Sequence, residues 1–153
     1  MARTSEIRLL KNTIEISEAV NMYADYLENM NYPIAIDRTI GVYQLINYCK
    51  RKKFVRGYFI NNKLSAWIYA DVCKIDYVEG LVFTQKYYSS ILKSKANFTA
   101  IKKLHEAMII EAKRLKINFL TSEGSPMDET FQFSRLLELA GWQRVGYLCV
   151  YNL

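Results

Sequence analysis

The chain has 153 residues, 51% of them apolar and 14% aromatic, with a formal net charge of +6 and only two prolines and six glycines. That composition suits one domain spanning residues 1–153 with a substantial core, and it excludes a low-complexity or disordered chain. No apolar run approaches the roughly 20 residues of a spanning helix. The opening MARTSEIRLLKN has no apolar stretch of signal-peptide length, so the expectation is a cytoplasmic protein with no membrane partner, monomeric or homodimeric.

In chain order, EIRLLKN reads as a first strand. From Thr13, read as an N-cap, Ile16, Ala19, Val20, Tyr23, Leu27 and Met30 recur at helical spacing. Pro33 ends that helix. A second helix starts near Asp37, buries Val42, Leu45, Ile46 and Cys49, and runs into KRKK. The period then switches to that of strands: FVRGYFI and LSAWIYADVCKI flank the turn signal NNK, and YVEGLVFTQ continues the meander. KYYSSILKSKAN reads as a polar, basic loop. A helix follows from Phe98 to about Lys116, with Phe98, Ile101, Leu104, Met108, Ile109, Ala112 and Leu115 as its apolar stripe, and then INFLTSE as a buried strand. Ser125, Pro126 and Asp128 supply a helix-start signature. The helix they open buries Phe133, Leu136, Leu137 and Ala140, Gly141 is its left-handed stop, and RVGYLCVYNL is a final strand. The order is β-α-α-β-β-β-α-β-α-β, an α/β (α+β) fold with a mixed, mostly antiparallel sheet and helices on both faces.

Chemistry is sparsely marked. Cys49, Cys73 and Cys149 form no C-x-x-C pair, and His105 is the chain's only histidine, so neither a metal centre nor the zinc-protease pattern is expected. His105 lies beside an apolar stripe and reads as a hydrogen-bonded core residue; Cys73, without a histidine placed by any motif, reads as a small core residue. The basic balance favours anionic partners. No glycine-rich nucleotide fingerprint is present.

The closing pattern, a long helix, INFLTSE, ETFQFSRLLELAGW and QRVGYLCVYNL, resembles the GNAT-type N-acyltransferases. In that family a strand, a pyrophosphate-binding loop, a long helix, a strand, a short helix ending in Gly-aromatic and a last strand follow one another. The Arg-x-Leu spacing ahead of Gly141 also resembles divergent GNAT-like proteins of bacteriophages. Two departures stand out. The family's loop reads Arg/Gln-x-x-Gly-x-Gly/Ala, whereas KSKANFTA has no glycine and the loop counts as longer than usual. Many members carry a tyrosine acid where this chain has Leu137, which leaves Tyr87, Tyr88 or Tyr147 as substitutes.

The resemblance implies transfer of an acyl group, acetyl first, from acetyl-CoA or another acyl-CoA to an amine acceptor. Lys93, Ser94, Lys95, Ala96, Asn97, Phe98 and Thr99 would hold the pyrophosphate, with Asn97 as helix cap, and Val82 and Phe83 the pantetheine arm. Glu79 is the first choice of base and Asp76 the second, against the plainer reading of solvated strand-end carboxylates. Thr121, Ser122 and Glu123, at the carboxyl end of a strand, read as substrate-binding or as a polar lead into the Ser125 cap. Two alternatives stay open: a catalytically inactive GNAT-like binding or virion-associated protein, and a nucleic-acid-binding or nucleobase-modifying protein, in which lysines follow a backbone and Tyr87 and Tyr88 stack bases.

Overall fold

The computed structural model describes residues 4–74, 79–122, 132–139 and 141–142. Its elements are β1 (Ser5–Arg8), α1 (Thr13–Asn29), α2 (Arg38–Lys50), β2 (Phe54–Ile60), β3 (Lys63–Cys73), β4 (Val82–Ser90), α3 (Ser94–Arg114), β5 (Phe119–Ser122) and α4 (Gln132–Leu139). The strands form one sheet in the order β1-β2-β3-β4-β5. All pairs are antiparallel except β4–β5, which is parallel. The expected first strand is shorter than EIRLLKN because Leu10 already packs in the core at the turn towards α1. The Ser125–Asp128 signature and the final strand lie outside the described residues.

β3 explains the layering. Ala66, Ile68 and Ala70 join Phe54, Tyr58, Phe83 and the α3 residues Ala100, Leu104, Met108 and Ala112 in one core. The alternate residues Trp67 and Tyr69 join Val55, Phe59, Leu64 and the helix residues Ile16, Ala19, Val20 and Leu45 in another. Side chains of a strand alternate faces, so a strand covered on both sides reads as the unbroken apolar run LSAWIYA. Leu104 and Met108 are wholly buried, each worth about 2 kcal/mol of transfer free energy. Ile109 and Leu115, expected on this stripe, are instead exposed, because the buried face of α3 runs through Ile101, Leu104, His105, Met108 and Ala112.

The local signals are physical devices. Asn12, not Thr13, caps α1: its Oδ1 accepts the Glu15 N–H at 2.9 Å, and Thr13 is the first helical residue. The Glu15 carboxylate in turn receives both terminal nitrogens of Arg8 at 2.9 and 3.0 Å, which holds it below the usual carboxylate range. Asp37 caps α2 through the Ile40 N–H at 3.0 Å. Asn61 and Asn62 turn the β2–β3 hairpin with φ of 49° and 63°, the positive pair that a type I′ turn requires.

All four helices end alike. A residue with positive φ follows the helix, and the next N–H returns five residues to a carbonyl: Tyr32 to Leu27, Lys53 to Tyr48, Ile117 to Ala112 and Trp142 to Leu137. This is the Schellman closure, which favours glycine. Gly141 supplies it at φ 93°, whereas Asn31, Lys52 and Lys116 hold it with a Cβ present. Replacing Lys116 by glycine is therefore expected to raise the unfolding free energy by about 0.5–1 kcal/mol. The readout is a higher urea midpoint at unchanged slope; a lower midpoint contradicts it.

Candidate active site

The site begins at an irregularity in β4. Tyr69 pairs with Tyr87 and the next β3 residue, Ala70, pairs with Gln85, so Lys86 is an extra residue in β4. A bulge of this kind bends its strand and increases the local twist. It also reverses the faces beyond it. Gln85 contacts His105 of α3, yet Tyr87, two residues on, packs with Tyr23 of α1 at 5.1 Å between ring centroids. Among the described residues the parallel β4–β5 register runs from Val82↔Phe119 to Gln85↔Ser122, the pair just before the bulge.

β4 leads directly into α3. KYYSS, expected as loop, is strand, because Tyr87, Tyr88 and Ser89 are held by β3 and by packing on both faces. The connection is only residues 91–93, and α3 starts at Ser94, four residues before Phe98. Asn97 is not its cap: it lies inside the first turns and its Oδ1 accepts the Tyr88 hydroxyl at 2.6 Å, tying α3 to β4. Lys93 occupies the cap position without a side-chain hydrogen bond, which leaves the first N–H groups of the helix to solvent or a ligand. Ser94 has φ 51°, in the left-handed region that favours glycine. Lys93, Ser94 and Lys95 are exposed, Ala96, Asn97, Phe98 and Thr99 half-buried, and the Thr99 hydroxyl donates to the Lys95 carbonyl at 3.0 Å.

The other expected residues fall as follows. Val82 and Phe83 are buried in the part of β4 that pairs with both β3 and β5, so their main chain is engaged on each side. Glu79 is exposed in the bend before β4; Asp76, Glu123 and Tyr147 lie outside the described residues. Thr121 and Ser122 pair with Thr84 and Gln85, with Thr121 Oγ1 2.8 Å from Thr84 Oγ1 and the Ser122 hydroxyl 2.8 Å from Gln85 Oε1. Leu137 is buried. Cys73 is half-buried with its thiol 3.8 Å from the Asp71 carbonyl. Lys113 and Arg114 sit in the last turn of α3, where the helix dipole favours cations.

Two features carry no motif. On the α1 side Tyr48, Tyr69, Tyr87 and Tyr23 follow one another at centroid spacings of 4.3, 5.7 and 5.1 Å. The Tyr69 hydroxyl donates to Asp71, which also binds Lys53 at 2.7 Å; burial, then the Asp71 charge, pushes the Tyr69 phenol up. On the α3 side Gln85 is 2% exposed. Its only trace in the sequence is a polar residue, next to Thr84, closing the run LVFTQ.

His105 is likewise 2% exposed. Its Nδ1 lies 2.9 Å from the Ile101 carbonyl and its Nε2 2.9 Å from Gln85 Oε1. Burial lowers its pKa to about 4, partly offset by the Ile101 contact. The ring is thus neutral in the folded state near pH 7, while the unfolded chain takes up its proton around pH 6.5. The unfolded state therefore binds more protons as pH falls from about 6.5 to about 4, and stability is lost across that window. The expected loss from this group is about 3 kcal/mol. Urea unfolding of the wild type and His105→Phe at both pH values checks it: the variant should lack this part of the pH dependence, and identical profiles contradict it.

No protein-family model and no curated protein sequence matches the chain. Solved structures do. The crystal structure of a predicted acetyltransferase with acetyl-CoA from Clostridium acetobutylicum superposes with a TM-score of 0.70 at 14% identity, covering 99% of this chain and 96% of that one. An aminoglycoside N-acetyltransferase, AAC(6')-Iy, in complex with CoA gives 0.76 at 10% identity, covering 100% and 97%. A ribosomal-protein-alanine N-acetyltransferase from Brucella melitensis biovar Abortus 2308 gives 0.71 at 13% identity, covering 98% and 99%. By sheet order, the parallel β4–β5 pair and these superpositions, the chain has the fold of the GNAT-type N-acyltransferases.

Proposed function

We propose that this chain is an acyl-CoA-dependent N-acyltransferase, with acetyl-CoA the first candidate donor and an amine the acceptor. The observation that carries this is the start of α3. A helix without a side-chain cap begins on a left-handed Ser94, after a three-residue connection from the bulged strand β4, which ends at Ser90. Unpaired first-turn N–H groups and the positive end of the helix dipole favour a phosphate. Ser94 holds the backbone that the family gives to glycine. Lys93 and Lys95 flank it with positive charge. Asn97, bound to Tyr88, and Thr99, bound to the Lys95 carbonyl, keep the turn in shape. The main chain of Ser94–Ala96 would hold the pyrophosphate, and the arm would follow β4 from Gln85 onward, beyond Val82 and Phe83.

The cofactor supplies an activated thioester, whose acyl carbon forms an amide bond as the C–S bond breaks. The chain's own task is to take the ammonium proton of the acceptor before attack. Glu79, exposed ahead of β4, is the proposed base, through an ordered water; Asp76 stands second. The leaving thiolate needs little help, since a thiol with a pKa of about 8.5 departs without an acid. A leucine at position 137 is compatible with that. Thr121, Ser122 and Glu123 would border the acceptor, as would the half-buried Tyr23 and Tyr87. The names of two structural neighbours, acting on an aminoglycoside and on a ribosomal-protein alanine, support an amine acceptor.

A second reading, binding without transfer, is favoured by buried Leu137 at the position where the family places its tyrosine acid. Thiol release from acetyl-CoA in the presence of a panel of primary amines separates the two. Transfer is expected with at least one amine. Glu79→Gln should lower kcat about 100-fold with the acetyl-CoA Kd unchanged. Acetyl-CoA binding without release for any amine favours the second reading.

A further inference from the structure

Gln85 of β4 pairs with Ser122 of β5, and the bulge residue Lys86 follows it. Its side-chain amide meets two partners, Ser122 Oγ at 2.8 Å on β5 and His105 Nε2 at 2.9 Å on α3. The imidazole is held in turn by the Ile101 carbonyl at 2.9 Å and packs edge-on against Trp142, just after α4, at 5.0 Å and 75°. Four segments of chain converge on one buried polar group beside the β4 bulge.

The protons of this group follow from its partners. The buried ring, depressed by desolvation with no charged group contributing, is neutral and carries one N–H. The Ile101 carbonyl only accepts, so that proton sits on Nδ1 and Nε2 is a bare acceptor. If Gln85 faced both partners with its oxygen, Nε2 would need a second proton and the ring a buried charge, which desolvation opposes. The amide therefore turns its NH2 inward, where one N–H serves His105 Nε2 and the other Ser122 Oγ. A buried polar network of this kind holds its members in a defined arrangement, and that makes it specific.

We propose that Gln85, His105 and Ser122 form a latch, with a neutral Nδ1–H histidine and a doubly donating amide that hold β4 to β5 at Gln85↔Ser122, beside the bulge, and so set the path of the thioester arm of an acyl-CoA along β4. The role in ligand binding presupposes the acyl-CoA reading above. All three are positioning residues, since none is assigned to the reacting atoms. The latch stands at the arm, whereas the nucleotide end of the ligand belongs to the start of α3.

The single histidine of the chain makes the first test unambiguous. Long-range proton–nitrogen spectra of the full-length wild type should show the neutral Nδ1–H tautomer from about pH 6 to pH 8; the Nε2–H tautomer or an imidazolium at pH 7 overturns the latch. The second test uses Gln85→Met with two probes, acetyl-CoA and 3′-phospho-ADP, the latter lacking the arm. The Kd for acetyl-CoA should rise about tenfold or more while that for the nucleotide changes less than about twofold. Equal weakening of both, as general destabilisation produces, or no change in either, overturns it. If the wild type binds neither probe, the acyl-CoA reading fails by itself. The ring tautomer, with faster amide exchange at Gln85 and Ser122 in the variant, then decides whether the latch exists.

Discussion

One extra residue in β4 organises the rest of the molecule. Up to Gln85 the strand is paired on both sides and its side chains alternate between the two helical layers. Lys86 then adds a residue that β3 does not match, and two consequences follow from that count. The side-chain phase reverses, so Gln85 is sent to α3 and Tyr87 to α1. The strand's last residues are aimed at the start of α3, which Tyr88 fastens through Asn97.

The second constraint is electrostatic. A helix start without a side-chain cap has a cost in water, because its first N–H groups lack partners. The chain adds a further cost by holding Ser94 at positive φ, of the order of 1 kcal/mol for a residue with a Cβ. Unfavourable backbone of this sort tends to persist at functional sites, where the surrounding structure imposes it. Here the neighbouring lysines give it a use. The same backbone explains why absent glycines leave a phosphate cradle feasible: what the site needs is the conformation and the free N–H groups, and serine can be forced into both.

Much of the fold was legible because local signals and tertiary packing agree. The Asn-Asn turn, the Asp37 cap, the Gly141 stop and the run LSAWIYA each state one structural fact in one or a few adjacent residues. The errors cluster at the site. KYYSS looks polar enough for a loop, but Tyr87, Tyr88 and Ser89 are held by packing that no local pattern announces. A bulge is invisible to a period-2 reading, since it breaks that very period. The start of α3 was misplaced because Lys93 is no capping residue and Ser94 is not in a helical conformation. The residues Lys93–Thr99, named from the resemblance, do lie together at one helix start; the Gln85–His105–Ser122 contact was not foreseen, since it depends on three distant segments.

The central claim is that the glycine-free start of α3 binds the pyrophosphate of an acyl-CoA through its main chain. Calorimetric titration with acetyl-CoA of the wild type, Ser94→Gly and Lys95→Glu tests it most directly. The account predicts a saturable one-to-one isotherm for the wild type, binding at least as tight for Ser94→Gly, whose backbone strain is relieved, and binding weakened about tenfold for Lys95→Glu, which reverses a charge beside the phosphates. Absence of binding in all three proteins, or an affinity indifferent to both substitutions, would contradict it.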